Sequence, residues 1–372
     1  MEKERLEQLV NIKTGKLNAN ASDENGIYPF FTCSKETLRI NKYSYDCECV
    51  LVAGNGDLNA KYYNGKFDAY QRTYILTNKD KDKLNLKYLY YFMQNYVETL
   101  RNQSIGGVIK YIKLENLTEA KINLVSLEKQ EEIINTLQKV EEIINERKKQ
   151  IENLQMVVKS QFVEMFGELT INDKNWLMDN MGNYLTILTD FSSNGSYKTL
   201  DSQVIMYDKP NYAYMVRTTD LENDNYTDNV KYIDENSYNL LSKSKVYGNE
   251  IIMCKIGSAG KCYLMPKLNR KVSLGRNAFL FRYNDKINTI FMNYLLNTDY
   301  GKSEISKYVR GAVTKTITKD DARKIRIIVP PIELQNKFAS FVELIDKQEF
   351  EGFKLEKLLK NLIDEGAKNV KF

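Results

Sequence analysis

The stretch Leu127–Phe166, LEKQEEIINTLQKVEEIINERKKQIENLQMVVKSQFVEMF, holds no Pro and no Gly. Counted in heptads from Ile133, its a positions are Ile133, Val140, Arg147, Leu154 and Gln161. Its d positions are Leu137, Ile144, Ile151, Val158 and Met165, and eight of these ten residues are apolar. Apolar side chains at alternating steps of three and four line one narrow stripe of a helix, which predicts a coiled-coil seam. Ser126 stands where an N-cap is needed. Glu128, Glu131 and Glu132 fall in the first turns, where the helix dipole favours negative charge, and Gly167 supplies a stop. At about 1.5 Å per residue such a helix is a rod of roughly 58 Å. Polar over most of its circumference, it cannot be the centre of a globule. It needs one partner helix, and its length suits it to hold two bodies apart.

The sequence around the start of this rod occurs twice. GGVIKYIKLENLTEAKINLVSLEKQEEI from Gly106 aligns without a gap with GAVTKTITKDDARKIRIIVPPIELQNKF from Gly311, an offset of 205 residues. The alignment pairs Val108 with Val313, Lys110 with Lys315, Ile112 with Ile317, Ile122 with Ile327 and Gln130 with Gln335. In both copies an alternating, strand-like run leads into a long helix. The second helix is expected from about Ile332 to about Asn369, after Pro330–Pro331, where a first turn tolerates proline. Its stripe is Phe341, Ile345, Gln348, Gly352, Leu355, Leu359 and Leu362. The two helices are expected to pair, because each otherwise exposes an apolar stripe to water.

Each helix follows a block of ordinary domain size. The expected layout is a first domain over 1–125, a spacer helix over 126–167, a second domain over 168–330 and a second spacer helix over 331–372. Strands are predicted at Tyr28–Cys33, Cys49–Ala53, Lys61–Tyr63 and Tyr74–Thr77, then a helix at Leu86–Leu100. The second block repeats that order at Tyr212–Thr218, Glu250–Lys255, Lys261–Met265 and Ala278–Tyr283, with a helix at Ile290–Asn297. VLVAGNGDLNAKYY matches IIMCKIGSAGKCYL, setting Gly56 against Gly257 and Tyr62 against Tyr263. LEQLVNIKTG near the start matches MGNYLTILTD from Met181. The pattern is an α+β domain plus long helix, present twice as a pseudo-twofold internal repeat.

Composition narrows the chemistry. The chain of 372 residues has a formal charge of +5, compatible with a polyanionic partner without demanding one. Its richness in Asn, Lys, Ile and Tyr points to an AT-rich genome, so a single Lys or Tyr says little. With no histidine, Ser-His and Cys-His pairs and histidine metal sites are excluded. Five cysteines in a chain without a secretory signal suggest reduced thiols and a cytoplasmic location. Cys47-x-Cys49 lacks the spacing of a zinc knuckle. No apolar run approaches a membrane span, and the charged N-terminus MEKERLEQL reads as helical.

GNGD at Gly54–Asp57 and GSAG at Gly257–Gly260 each follow an apolar strand, but a second strand follows where a phosphate loop needs a helix. They read as hairpin turns. The single Pro-Pro, at Pro330–Pro331, is not an amide-binding Asn-Pro-Pro-Tyr motif, and no nuclease cluster of acids with a lysine is present. No catalytic constellation emerges.

What remains are loops rich in side chains that read base edges and hold phosphates. In the first block the DNA-contact candidates are Lys61, Tyr62, Tyr70, Gln71, Arg72, Thr73, Gly106, Gly107 and Lys110. In the second they are Lys255, Ser258, Lys261, Arg270, Lys271, Arg276, Asn277, Arg310, Gly311, Thr314 and Lys315. They fall at matching places in the two copies.

Two blocks, each followed by a long helix, with the passages VSLEKQEEI and VPPIELQNKF, resemble the specificity subunit of type I restriction-modification systems. The likeness covers the whole chain, and its most specific part is the Pro-Pro-Ile-x-x-Gln turn into the helix. The first copy departs from it, with Val125–Ser126 in place of Pro-Pro. The resemblance implies two target recognition domains, each reading one half of a split DNA site, and an antiparallel coiled coil that fixes their spacing. It further implies two adenine-methyltransferase subunits and restriction subunits as partners of a non-catalytic chain. No cofactor is then expected on this chain, with S-adenosylmethionine, ATP and Mg on the partner subunits. Two other readings stay open: a coiled-coil scaffold that binds proteins and not DNA, and part of a single-chain restriction-methylation enzyme.

Overall fold

The computed structural model describes the backbone of residues 2–371 and the side chains of residues 3–359. The chain divides into two compact units, 1–151 with 350–372, and 152–349. Each unit therefore holds one globular domain and a part of both long helices, so the unit boundaries fall inside the helices and not at their ends.

In the first unit the strands are β1 (Glu2–Arg5), β2 (Val10–Thr14), β3 (Tyr28–Phe31), β4 (Leu38–Ile40), β5 (Tyr45–Ala53), β6 (Ala60–Ala69), β7 (Thr73–Asn78) and β8 (Lys121–Leu124). The opening residues, expected to be helical, are instead β1, followed by one helical turn at Leu6–Leu9. β1 pairs antiparallel with β8, and that tertiary edge overrides local helix propensity. The other six strands form one sheet in the order β2-β7-β5-β6-β3-β4. Side chains alternate across it. Val50 and Val52 face the helix Leu86–Gln103, among Leu89, Phe92 and Met93, while Cys49 and Leu51 face Phe31 and Phe67 on the other side. Cys47 sits against that second cluster too, so the Cys-x-Cys pair lines a core face.

In the second unit the strands are β9 (Met178–Asn180), β10 (Leu185–Asp190), β11 (Ala213–Val216), β12 (Lys231–Ile233), β13 (Lys245–Val246), β14 (Ile251–Cys254), β15 (Cys262–Leu264), β16 (Val272–Leu274), β17 (Ala278–Tyr283) and β18 (Arg326–Ile328). The main sheet runs β10-β17-β14-β15, the strand order of β2-β7-β5-β6. β9 pairs with β18 as β1 does with β8. Ile251 and Met253 face the helix Thr289–Asn297, with Phe291 and Leu295. The opposite face, Ile252 and Leu280, is covered by a second sheet, β12-β11-β16-β13, through Tyr214, Val216 and Leu274. Three of its strands have counterparts in the first unit, where β3 pairs antiparallel with β4 and parallel with the end of β6 as β11 does with β12 and β16. The expected match of Tyr28–Cys33 with Tyr212–Thr218 therefore holds, and of the strands of this sheet only β11 was predicted.

The expected match of Tyr62 with Tyr263 slips by one residue. Val52 lies opposite Ala60, whereas its equivalent Met253 lies opposite Cys262, because the second hairpin turn is one residue longer. A shift of one residue moves a side chain to the other face. Tyr62 accordingly packs on the helix side and Tyr263 on the second-sheet side.

The long helices span Leu127–Phe166 and Ile332–Lys371. Ser126 accepts the N–H of Lys129 at the start of the first. In the first unit Ile134 and Leu137 are buried in the domain core, with Ile133 packed against it, so this end of the stripe serves the domain. Ile144 and Ile151 are buried, Val140 is half-buried and Arg147 is exposed. In the second unit Val158, Phe162 and Phe166 pack with Phe338 and Ile345, and Leu154, Met165 and Phe341 border the cluster. The Phe338 ring lies 5.2 Å from that of Phe162 and 5.6 Å from that of Phe166. The end of the first helix thus meets the beginning of the second, an antiparallel pairing. On the second helix the inward line continues through Glu349, Gly352, Glu356 and Leu359, while Gln348 and Leu355 are exposed. The expected stripe therefore lies one position early at Gln348 and Leu355, and in place at Gly352 and Leu359. The side chain of Leu362 lies outside the described residues.

Candidate nucleic-acid interface

Three backbone segments meet at one end of the main sheet in each domain, and the same three hydrogen bonds join them. In the first, the Gly54 N–H donates to Arg72 O at 2.8 Å, Gly56 N–H to Lys110 O at 2.9 Å, and Ile112 N–H to Gly54 O at 2.9 Å. In the second, the Lys255 N–H donates to Asn277 O at 2.8 Å, Gly257 N–H to Lys315 O at 2.9 Å, and Ile317 N–H to Lys255 O at 3.0 Å. Each network ties the β5–β6 or β14–β15 turn to the residues before β7 or β17 and to the loop that leads into the short helix, Glu115–Thr118 or Lys319–Arg323, ahead of the last strand. Gly56 and Gly257 have φ of +67° and +82°, which a residue with a Cβ adopts only at a cost. Both turns are hairpins, as their sequences predicted.

These bonds bring Gln71, Arg72, Gly106, Gly107 and Lys110 around one turn. They bring Lys255, Ser258, Arg276, Asn277, Arg310, Gly311, Thr314 and Lys315 around the other. Positions 71 and 72 correspond to 276 and 277, because Ala53 pairs with Thr73 as Cys254 pairs with Ala278. One scaffold therefore carries Gln-Arg in one domain and Arg-Asn in the other. Both pairs belong to the side-chain types that form bidentate contacts with base edges. Arg276 is held over the rings of Phe191 and Tyr197 and pairs with Asp201 at 2.8 Å.

Other candidates lie elsewhere or are turned inward. Thr73 is buried and its hydroxyl donates to Phe31 O, which removes it from any surface. Tyr62 packs on the domain helix and donates to Glu48 at 2.8 Å. Burial and that carboxylate push its pKa up to about 12. Lys61 is taken up by the carbonyls of Ser34 and Glu36. Tyr70 is half-buried, with its N–H on Phe31 O. Lys261 pairs with Glu222. Arg270 and Lys271 stand just before β16 at the edge of the second sheet, Arg270 over the Tyr214 ring at 4.2 Å and Lys271 over Tyr212 at 3.9 Å.

One feature escaped the sequence. Asp190, at the end of β10, accepts from Lys255 and Lys319, each at 2.8 Å, and from Ser193 at 2.6 Å. Burial by itself raises its pKa, but these three donors outweigh it and hold the carboxyl at about 2. Lys319 and Asp190 are 129 residues apart, and no local motif announces them. The group lines an open cleft with Ser192, Phe279 and Thr316.

Comparison with known proteins agrees with this geometry. The family model described as the type I restriction modification DNA specificity domain matches residues 1–153 and 186–361. The EcoDI specificity subunit of Escherichia coli is 34% identical over 180 residues, a match covering 47% of this chain and 39% of that subunit. The MjaVIII specificity subunit of Methanocaldococcus jannaschii is 23% identical over 397 residues, covering 99% of this chain and 92% of that one. Among solved structures, the S subunit of a type I restriction-modification system from M. genitalium superimposes with a TM-score of 0.61 at 17% identity, over 99% of this chain and 95% of that chain. A chain from a study of complex assembly and conformational transition of the type I R-M system gives 0.57 at 13% identity, over 99% and 97%. These two likenesses concern the fold alone. With its domain-plus-helix repeat and the family model matched in both halves, the chain belongs to the type I restriction-modification DNA specificity family.

Proposed function

We propose that this chain is the DNA-recognition subunit of a type I restriction-modification complex and carries no catalysis of its own. Each domain reads one half of a bipartite, non-palindromic site, and the helix pair sets the unread spacer between the halves. The observation that carries this reading is the shared scaffold with unlike tips, Gln71–Arg72 against Arg276–Asn277. Two identical readers would call for a symmetric site, whereas two unlike readers on one backbone call for two unlike half-sites.

Two methyltransferase subunits dock along the long helices, and restriction subunits join through them. Exposed apolar side chains on the helices support this. They are Ile143, Phe350, Phe353 and Leu358 in the first unit, and Met156, Val157, Val163 and Leu344 in the second. S-adenosylmethionine, ATP and Mg belong to those partners. No helix among the described residues is long and apolar enough to cross a membrane, and the complex acts on DNA in the cytoplasm.

Mapping methylated adenines in cells with and without this chain tests the proposal. The expected result is loss of one bipartite motif. An unchanged pattern, together with duplex binding that does not weaken with salt, would leave a protein scaffold as the better account.

A further inference from the structure

Val108 and Val313 stand at the same place in the repeat and at the same place in the fold. Each sits at the tip of the loop before the short helix Glu115–Thr118 or Lys319–Arg323, and each is fully exposed, at 104% and 99% of its reference area. The loops are not slack. Ile105 and Tyr111 exchange backbone hydrogen bonds at 3.0 and 2.9 Å across the base of the first, and Arg310 and Thr316 do so at 2.9 and 2.7 Å across the second. Gly106 and Gly311 take φ of +115° and +106° to turn the chain at the same point. A single exposed valine needs no explanation. Two of them, held out on matched rigid loops in domains whose base-reading positions differ, share a task that does not depend on sequence.

We propose that each valine enters a groove of the duplex beside its half-site and packs on base edges there, as an apolar contact common to both halves. This rests on the DNA-recognition reading above. The surroundings favour nucleic acid. Residues 100–114 contain Arg101, Lys110 and Lys113 and no acid, and residues 307–319 contain Lys307, Arg310, Lys315 and Lys319 and no acid. Arg101, Lys307, Arg310 and Lys319 pair with carboxylates, but among the described residues Lys110 and Lys113 beside the first tip and Lys315 beside the second form no ion pair, so each tip has an unpaired cation to meet phosphate. Apolar side chains set into a groove among basic residues are a known way to grip DNA.

The test uses the full chain assembled with its methyltransferase subunits, Val108→Ser and Val313→Ser, and a duplex carrying the methylated site mapped for the system. Affinity is measured across a salt series, and assembly is followed by size-exclusion chromatography. An apolar contact releases no counterions. Each variant is therefore expected to bind about tenfold more weakly with an unchanged salt slope and unchanged assembly, while Lys110→Ala and Lys315→Ala flatten the slope. Unchanged affinity of both serine variants overturns the proposal. So does a loss that tracks weaker assembly, which would make the tips a protein-docking feature. In either case wild-type binding to the duplex leaves the recognition reading standing, whereas a wild type that ignores the duplex overturns both.

Discussion

Gln130 and Asn85 are joined side chain to backbone across 45 residues of chain: the Asn85 N–H donates to Gln130 Oε1 at 2.8 Å. The Gln130 amide nitrogen donates in turn to Lys83 O and Val125 O, each at 2.8 Å. The arrangement recurs in the second unit. Asn288 N–H donates to Gln335 Oε1 at 2.9 Å, and the Gln335 amide donates to Lys286 O at 3.1 Å and Pro330 O at 2.8 Å. Asn85 and Asn288 are the N-caps of their domain helices. One buried glutamine thus fixes where the long helix begins relative to the domain helix, in both copies.

Both glutamines are fully buried, and losing one leaves an N–H and two carbonyls, part-buried or buried, without their partner. Gln335→Leu, similar in volume, is expected to cost about 1–3 kcal/mol, mostly through the buried Pro330 carbonyl. Urea unfolding would show it, and a loss below about 1 kcal/mol would mean that water or a shifted neighbour replaces the amide.

The matched scaffold gives a specificity prediction. Arg72→Ala should relax one base position in a single half-site, at about 1–3 kcal/mol, and Asn277→Gly should do the same in the other half only. Glycine is chosen at 277 because Asn277 has φ of +67°. Methylome sequencing reads both halves at once, and a variant that altered both would break the one-domain, one-half-site assignment.

Most of the repeat was legible because it is written in local signals: strand alternation, turn glycines, and a glutamine set four residues into a helix-entry motif. The helix ends were close for the same reason. What was not legible depends on tertiary pairing. β1 is a strand only because β8 offers it an edge. The second sheet of the second domain is built from strands of two to four residues, too short to show a period. The inward place of Glu356, beside an exposed Leu355, ran against hydrophobicity. At the candidate interface the glycine loops and Arg72, Asn277, Lys110 and Lys315 were readable from the repeat. Thr73 and Tyr62 were misjudged because alternation at a strand end decides which way a side chain points, and Asp190 with Lys319 required the fold.

Asp190 gives a pH prediction. Its carboxyl is depressed to about 2 in the folded chain, so its contribution is complete above its ordinary value near 4. That contribution is lost as pH falls from about 4 towards 2, and amounts to up to about 2 kcal/mol. Lys319→Met removes one of the donors that lower the pKa, so the variant should show a smaller drop in stability between pH 6 and pH 3 than the wild type. Denaturant titrations at the two pH values test this, and equal drops would assign the acid sensitivity to other carboxylates.

The last prediction concerns Gly352, which faces Ile151 inside the helix pair of the first unit. A glycine in a seam can exist so that the facing helix comes close, in which case any side chain is excluded. Here a Cβ built on Gly352 would lie 3.5 Å from Ile151 Cδ1 and 3.7 Å from Cγ1, ordinary van der Waals separations with no backbone in the way. The glycine is therefore not required by packing, and it weakens its helix through the backbone freedom it must surrender. Gly352→Ala is expected to stabilise the chain by about 0.5–1 kcal/mol, combining helix propensity with a small gain in apolar contact. Thermal unfolding of the full chain measures this. A destabilised variant would mean that the two helices lie closer in solution than the Ile151 contact allows, and a larger change at Ile151→Ala combined with Gly352→Ala than the two singles predict would locate the effect in that pair.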